Sequence, residues 1–256
     1  MTRILAIANQ KGGVGKTTTS VNLAASLSLA HRRVLLVDLD PQGNATTGSG
    51  VDKRHLKASI YHCLVGGVSA EMARVGTVSG FDLLPSNRDL AGAEVELVDE
   101  PERESRLREC LQAVEAQYDY IIIDCPPALN LITINGLCAA HAVLIPMQCE
   151  YYALEGLSDL VQTIRRIRQH LNPRLEIEGL LRTMYDPRNT LAHQVSKDLQ
   201  QHFGDKVYRT MIPRNVRLAE APSHGTPAVT LDKQSKGATA YLALAGEILN
   251  RSDAHD

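Results

Sequence analysis

The stretch Lys11-Gly12-Gly13-Val14-Gly15-Lys16-Thr17-Thr18 decides the fold of this chain. A short apolar run over 3–8 precedes it, and a segment with helical spacing of apolar residues over 17–30 follows it. Three glycines let the backbone curl so that its N–H groups point inward at anionic oxygens, and the helix start adds a partial positive charge. A glycine-rich loop in this setting, ending in Lys-Thr, predicts a phosphate-binding loop.

The side chains of this loop have separate expected tasks. Lys16 reaches the β- and γ-phosphates of a nucleotide, and the Thr17 hydroxyl binds Mg²⁺. The loop departs from the common pattern G-x-x-x-x-G-K-[ST], because Gln10 stands where the first glycine would fall and an additional lysine, Lys11, follows it. The expected nucleotide contacts are Lys11, Gly12, Gly13, Val14, Gly15, Lys16, Thr17 and Thr18.

Two acidic motifs follow apolar runs elsewhere in the chain. Asp38 and Asp40 come after the run 33–37, and Asp124 ends the run 118–123. Carboxylates at the C-terminal ends of parallel strands face the crevice where ligands bind. Asp40 is therefore expected to position the attacking water and Asp124 to hold the metal, while Asp38 supports either the Mg²⁺ or the loop.

Apolar runs alternate with helical segments along most of the chain. Continuous apolar runs are typical of strands buried on both faces of a parallel sheet. The alternation predicts an α/β fold, a single-domain P-loop NTPase with a mostly parallel, twisted sheet and helices on both faces. We expect this domain over 1–250 and a polar C-terminal tail over 251–256. The predicted strands are 3–8, 33–38, 81–84, 118–124, 141–147, 175–181 and 207–209, and the predicted helices 17–30, 102–117, 153–170, 191–202 and 237–250.

Composition excludes several classes of protein. With 27 Lys and Arg against 29 Asp and Glu, the 256 residues carry a net charge of −2, which excludes a polybasic, histone-like protein. Aromatic residues are only 4%, which argues against stacking on single-stranded nucleic acid. No apolar run approaches the ~18 residues of a membrane span, and the first residues fit a strand, not a signal peptide, so a cytoplasmic location is expected.

With these three motifs, the chain resembles the ParA/Soj family of partition ATPases, whose deviant Walker A loop carries the additional lysine. The resemblance covers about 1–250 and includes the segments 182–188 and 211–225, which separate this subgroup from its relatives. Because no helix-turn-helix segment precedes the first strand, we expect the short, chromosomal Soj-like type. The cofactors that the resemblance implies are ATP and Mg²⁺.

The resemblance also implies a mechanism, an ATP-driven switch for segregation of chromosomes or plasmids. Two ATP-bound monomers close into a sandwich homodimer, in which Lys11 reaches the partner's nucleotide and Gly12 has little room for a side chain. Pro213 and Asn215 match positions that recognise adenine. The dimer binds double-stranded DNA without sequence preference and is nucleoid-associated in the ATP state. A ParB-type centromere-binding protein then stimulates hydrolysis and releases it.

Two arginines, Arg188 and Arg217, match family positions implicated in DNA binding. The charge distribution is compatible with this role, because 182–217 contains seven Lys and Arg against three Asp. In contrast, residues 1–158 contain 13 Lys and Arg against 18 Asp and Glu. A basic patch of this kind can bind phosphates even when the whole protein is acidic.

Three alternatives share this P-loop ancestry. A MinD-like membrane-associated ATPase would need a basic amphipathic helix at the C-terminus, whereas 238–256 contains one arginine and three acids, so no membrane contact is expected. An iron–sulfur protein would need suitably placed thiolates, whereas the five cysteines are scattered and show no C-x-x-C spacing. A ParA-like ATPase that positions cargo other than DNA would differ only in its partner.

Overall fold

The computed structural model describes residues 2–151 and 153–253 and contains one eight-stranded sheet. Its strand order is β3-β4-β2-β5-β1-β6-β7-β8, and all neighbours pair in parallel except β3 with β4. The predicted α/β class with a mostly parallel sheet is therefore confirmed. The strands are β1 Arg3–Ile7, β2 Val34–Asp38, β3 Val75–Gly76, β4 Asp82–Leu84, β5 Tyr120–Asp124, β6 Ala142–Gln148, β7 Glu176–Tyr185 and β8 Val207–Pro213.

Helices cover both faces of this sheet, as continuous apolar strands require. Alternating strand residues enter two separate cores, one on each face, so that Ile121 and Ile123 belong to one core and Ile122 belongs to the other. No helix of the described residues is long and apolar enough to cross a membrane. The helices are α1 Lys16–Leu29, α2 Asn44–Gly48, α3 Ile60–Leu64, α4 Ala70–Ala73, α5 Leu90–Glu96, α6 Arg106–Gln112, α7 Leu131–Ala139, α8 Ala153–His170, α9 Thr190–Phe203, α10 Val216–Glu220, α11 Ala228–Leu231 and α12 Lys236–Asp253.

The sheet order brings the three sequence motifs together. Strands β2, β5 and β1 are neighbours in the middle of the sheet, although they are far apart in the chain. In the pairing register Asp124 lies opposite both Asp38 on β2 and Ile7 on β1. The loops after these three strands therefore open at the same point of the C-terminal edge, where ligands of parallel sheets bind.

Two strands extend beyond the predicted ends. β7 continues to Tyr185 and β8 to Pro213, whereas the apolar runs predict ends near 181 and 209. The polar Arg182 interrupts the apolar run of β7, yet its side chain is buried and donates to Ser196 Oγ (2.7 Å) and Tyr208 O (2.6 Å). These bonds let the strand continue, and the extension carries its last residues to the edge that holds the phosphate loop.

Two helical segments differ in length from the prediction. The expected helix over 102–117 is only α6 followed by a 3₁₀ turn. Its late start agrees with the left-handed φ of 52° at Glu102, which a helix cannot contain. α12 runs three residues into the expected polar tail, and Arg251 stacks over the Tyr208 ring at 4.1 Å from its centroid. The remainder of that tail, 254–256, lies outside the described residues.

Candidate nucleotide-binding site

The phosphate loop owes its shape to glycines and to two side chains from other strands. Gly13 and Gly15 have φ of 74° and 88°, a region that favours glycine, and Gly15 precedes the first turn of α1. Gln148 Nε2 donates to Gly13 O (3.0 Å), and Thr183 Oγ1 donates to Val14 O (2.7 Å). The loop is thus held from β6 and β7, by side chains that carry no local sequence signal of this role.

Lys16 lies inside the loop, with only 7% of its surface exposed. Its ammonium donates to the carbonyl of Lys11 at 3.2 Å. Burial lowers the pKa of Lys16, and this is opposed by the nearby charges of Asp124 and Asp40. A buried ammonium of this kind is well suited to an anionic ligand, because a phosphate would replace the solvent that the amine has lost.

Asp124 lies fully buried at the end of β5, beside two hydroxyls of α1. Thr17 Oγ1 donates to its Oδ2 (2.8 Å), and Ser20 Oγ donates to its Oδ1 (2.8 Å). Burial, with Asp38 as a neighbouring like charge, raises the pKa of Asp124. The carboxylate and the Thr17 hydroxyl are ligands that suit Mg²⁺, and the sequence analysis did not identify Ser20 beside them.

A magnesium ion at this position would depend on its substrate for further ligands. Over residues 2–151 and 153–253, no group of three or more His, Cys, Asp or Glu could hold a metal ion. Mg²⁺ is commonly bound by one or two carboxylates together with substrate phosphates and water. Thr17 and Asp124 fit this arrangement, since they lie in contact below the phosphate loop.

Asp38 uses both carboxylate oxygens to hold the loop that follows β2. Its Oδ2 accepts from the backbone N–H and the hydroxyl of Thr46 (both 2.7 Å), and its Oδ1 accepts from Asp40 N (3.1 Å). The Thr46 hydroxyl in turn accepts from Ser86 N (2.9 Å). Burial raises the pKa of Asp38. Of the two roles that the sequence left open, support of the loop is the one that this geometry favours.

Asp40 is the half-buried carboxylate of this group. Its Oδ1 accepts from the backbone N–H of Gln42 (2.9 Å) within its own turn. Its charge acts to raise the pKa of Lys16, so the carboxylate lies within electrostatic reach of the phosphate loop. The position is compatible with a group that orients a water molecule at the terminal phosphate.

Beside the phosphate loop lies a cavity of about 190 Å³, lined mainly by apolar groups. Gly15 and Thr18 of the loop segment line it together with Pro213 and Asn215. The Oδ1 atom of Asn215 is buried and has no hydrogen-bond partner among the described residues. A flat, largely apolar base fits a small cavity with this lining.

The side chain of Lys11 lies at the surface, in contact with Glu150. Its ammonium forms an ion pair with Glu150 Oε2 at 2.5 Å, and both side chains are about half exposed, at 50% and 52%. Its backbone N–H donates to Asn9 Oδ1 (2.9 Å). Lys16 therefore enters the loop of this protomer, while Lys11 lies at its outer surface beside Glu150.

The two predicted DNA-contact arginines lie outside this site, near an open groove of about 540 Å³. Arg188 directly follows Pro187, which lines one side of the groove, and Arg217 pairs with Asp232, just before the lining residue Gln234. Both arginine side chains are exposed, at 89% and 53%. Both guanidinium groups are therefore accessible at the surface.

Comparison with known proteins identifies the family. The protein family described as "AAA domain" matches residues 2–177. The chain is 55% identical to the sporulation initiation inhibitor protein Soj of Bacillus subtilis, over 97% of this chain and 98% of that protein. It is 52% identical to the chromosome partitioning protein ParA of Caulobacter vibrioides, over 97% of this chain and 94% of that protein.

Solved structures share this fold, and one of them contains a bound ATP analogue. A Mycobacterium smegmatis protein described as cobyrinic acid a,c-diamide synthase, with bound ATP analogue and magnesium, superposes with a TM-score of 0.89 at 41% identity, over 100% of this chain and 98% of that chain. The cell division ATPase MinD of Pyrococcus furiosus reaches 0.81 at 27% identity, over 98% and 99%. The resemblance stated from the motifs is confirmed, and the chain belongs to the Soj/ParA family of chromosome-partitioning ATPases.

Proposed function

We propose that this protein is an ATP-hydrolysing switch for the segregation of chromosomes or plasmids. The observation that supports the proposal is that the phosphate loop contacts Asp124 through Thr17 and also lines, through Gly15 and Thr18, the apolar cavity that Asn215 lines. Related proteins of known structure contain an ATP analogue or ADP with magnesium. ATP is therefore the proposed substrate, and Mg²⁺ the proposed cofactor.

In this proposal each residue of the site has one task. Lys16 and the loop backbone bind the phosphates, Thr17 and Asp124 hold Mg²⁺, and Asp40 orients the water for in-line attack. When bound, the metal neutralises charge on the phosphates. Pro213 and Asn215 bind the adenine base.

The switch itself is the ATP-dependent homodimer. Lys11 lies at the outer surface of the loop, which supports a role on the nucleotide of a second protomer. A cation supplied in this way stabilises the charge that develops during phosphoryl transfer, and arginine fingers of this kind contribute roughly 10³–10⁵ in rate. Closure would displace Lys11 from Glu150, because one ammonium cannot occupy both positions.

A valine at position 12 is expected to block this dimer while leaving the monomer folded. A Cβ built at Gly12 meets no heavy atom within 4 Å, and Gly12 lacks the positive φ of Gly13. For Gly12→Val we expect an unfolding free energy within about 0.5 kcal/mol of wild type. We expect normal ATP binding but no ATP-dependent dimer in light scattering. Gly13→Val is the control, because φ of 74° strains a valine by about 1–2 kcal/mol. A Gly12→Val protein that dimerises normally would contradict this role.

We propose that the dimer binds double-stranded DNA without sequence preference. Arg188 and Arg217 are the proposed contacts to the DNA phosphates. Dimer formation doubles each contact, so a weak patch on one protomer becomes effective in the pair. In the ATP state the protein would be located on the nucleoid within the cytoplasm. A ParB-type protein would release it by stimulating hydrolysis.

We expect binding to random duplex DNA only with ATP, and loss of this binding as salt rises. Each phosphate contact contributes about −0.9 to the slope of log affinity against log salt. The measurement is fluorescence anisotropy with no nucleotide, with ADP and with ATP, at two or more salt concentrations. Equal binding in all three nucleotide states would overturn the switch, and no binding in any state would point to cargo other than DNA.

Pelleting with anionic vesicles and ATP tests the MinD-like alternative in parallel. A membrane helix of that kind needs a free apolar face. The apolar face of α12 is used inside the protein, because Ala238, Tyr241 and Ile248 lie in one of the two cores. We therefore expect no ATP-dependent pelleting.

A further inference from the structure

The two arginines proposed to bind DNA are already paired with carboxylates of their own chain. Arg188 donates two parallel hydrogen bonds to Asp186, from Nε to Oδ1 at 3.0 Å and from Nη2 to Oδ2 at 2.8 Å. Arg217 contacts Asp232 Oδ2 through Nε at 3.2 Å, and its Nη1 pairs with Glu220. In both arginines, nitrogens suited to a phosphate are occupied by an internal anion.

These pairs contribute little to the stability of the fold. The Arg188 side chain is 89% exposed, and ion pairs between exposed side chains contribute little to stability. The carboxylate of Asp186 nevertheless remains charged, because its hydrogen bond with Arg188 lowers the pKa of Asp186 to about 2. Arg214, nearby, lowers that pKa further. A carboxylate that is charged at neutral pH therefore lies beside Arg188 on the surface that is proposed to bind DNA.

We propose that Asp186, Glu220 and Asp232 act as internal substitutes for DNA phosphate and keep the affinity of each protomer low. This inference rests on the proposed DNA binding by Arg188 and Arg217. A DNA phosphate must displace the carboxylate of Asp186 before it can use the Nε and Nη2 edge of Arg188, and the remaining negative charge beside the guanidinium repels it, so each contact yields less net affinity than an unpaired arginine would. Because each arginine–phosphate contact is weak, DNA binding requires the contacts of both protomers. It therefore requires the dimer that forms with ATP.

The chain contains a matched control for this effect. Arg54 donates the same pair of hydrogen bonds to Asp52, from Nε to Oδ1 at 3.1 Å and from Nη2 to Oδ2 at 3.3 Å. As in the pair of Arg188 with Asp186, the aspartate lies two residues before the arginine. In both pairs the aspartate Oδ1 also accepts from the backbone N–H of its arginine, at 3.0 Å for Arg188 and 3.0 Å for Arg54. An asparagine retains this acceptor. Asp186→Asn and Asp52→Asn therefore remove the same charge from similar turns, although Asp52 Oδ2 also contacts His55 Nδ1 (2.9 Å).

The test is anisotropy of a short random duplex with a non-hydrolysable ATP analogue, using wild type, Asp186→Asn, Asp232→Asn and Asp52→Asn. We expect about fivefold to tenfold tighter binding for Asp186→Asn, and a salt slope steeper by up to about 1.8, since each dimer frees two arginines. Asp232→Asn should also bind DNA more tightly than wild type, but by a smaller factor, because Glu220 still pairs with Arg217. Asp52→Asn should match wild type.

The possible results distinguish a failure of this inference from a failure of the proposed DNA binding. If wild type binds DNA with the analogue but Asp186→Asn binds no tighter than Asp52→Asn, the inference is overturned and DNA binding stands. If both variants tighten binding equally, the effect is one of net charge, and the inference is again overturned. If no protein binds in any nucleotide state, the proposed DNA binding fails, and the inference fails with it. Thermal unfolding of the three variants verifies that each is folded.

Discussion

Replacing Asp40 with alanine is expected to lower ATP hydrolysis at least about 100-fold while ATP binding persists, because a positioned proton acceptor typically contributes 10²–10⁴ in rate. The side-chain hydrogen bond of Asp40 goes to Gln42 in its own turn, so its loss leaves the strand and the phosphate loop in place. The trapped protein should remain dimeric with ATP and stay on DNA. Phosphate release and light scattering measure the two effects.

Asp38→Ala is the informative control for this variant. Asp38 is fully buried and accepts both hydrogen bonds of Thr46, so its removal leaves Thr46 N–H without an acceptor and opens a gap below the loop. Loss of such a buried acceptor costs roughly 1–3 kcal/mol. Asp38→Ala should therefore lower the melting temperature, whereas Asp40→Ala should not. An Asp40→Ala protein that hydrolyses ATP at the wild-type rate would show that another group orients the water.

The phosphate loop and the acidic motifs could be predicted because their signals are local. A glycine-rich turn, a lysine and an aspartate at the end of an apolar run all appear within a few neighbouring residues. The parallel sheet then brings Asp38 and Asp124 into register, so proximity in space follows from strand order. For this reason one sequence was enough to predict the fold and the motifs of the site.

The supports of that site could not be predicted, because they come from distant strands. Thr183 and Gln148 hold the phosphate loop from β7 and β6, and nothing near them in the sequence marks this contact. Because Arg182 is polar, the predicted β7 ends too early. The burial of the Arg182 side chain depends on its hydrogen bonds to Ser196 and to a carbonyl of β8. Such contacts are properties of the tertiary structure.

Helix α7 was missed for a different reason. Its residues Leu131–Ala139 are apolar on most sides and seven of the nine are buried, so no polar face gives the pattern a helical period. A buried helix of this kind cannot be distinguished from a buried strand by periodicity. The cap is the local signal that was available, because Asn130 Oδ1 accepts from the backbone N–H of Thr133 (3.1 Å).

Lys11→Ala is expected to lower ATP hydrolysis by about 10³-fold, and mixing it with Asp40→Ala should restore part of the activity. If Lys11 acts on the partner's nucleotide, a mixed dimer has one complete site, formed by Asp40 of one protomer and Lys11 of the other. Random pairing of equal amounts makes half of the dimers mixed, so phosphate release should return to about a quarter of wild type.

If Lys11 instead acts on its own nucleotide, no site in the mixed dimer is complete, and the mixture should hydrolyse no faster than the average of the two variants. The ion pair between Lys11 and Glu150 at 2.5 Å favours action on the partner's nucleotide, because it holds the ammonium at the protein surface.

A second experiment mixes Lys11→Ala with Lys16→Ala. Lys16→Ala still supplies Lys11 to its partner, so this mixture should also recover if the Lys16→Ala protomer can join a dimer. Recovery in both mixtures would establish that each site takes its lysines from two chains, since Lys16 enters its own loop while Lys11 leaves it.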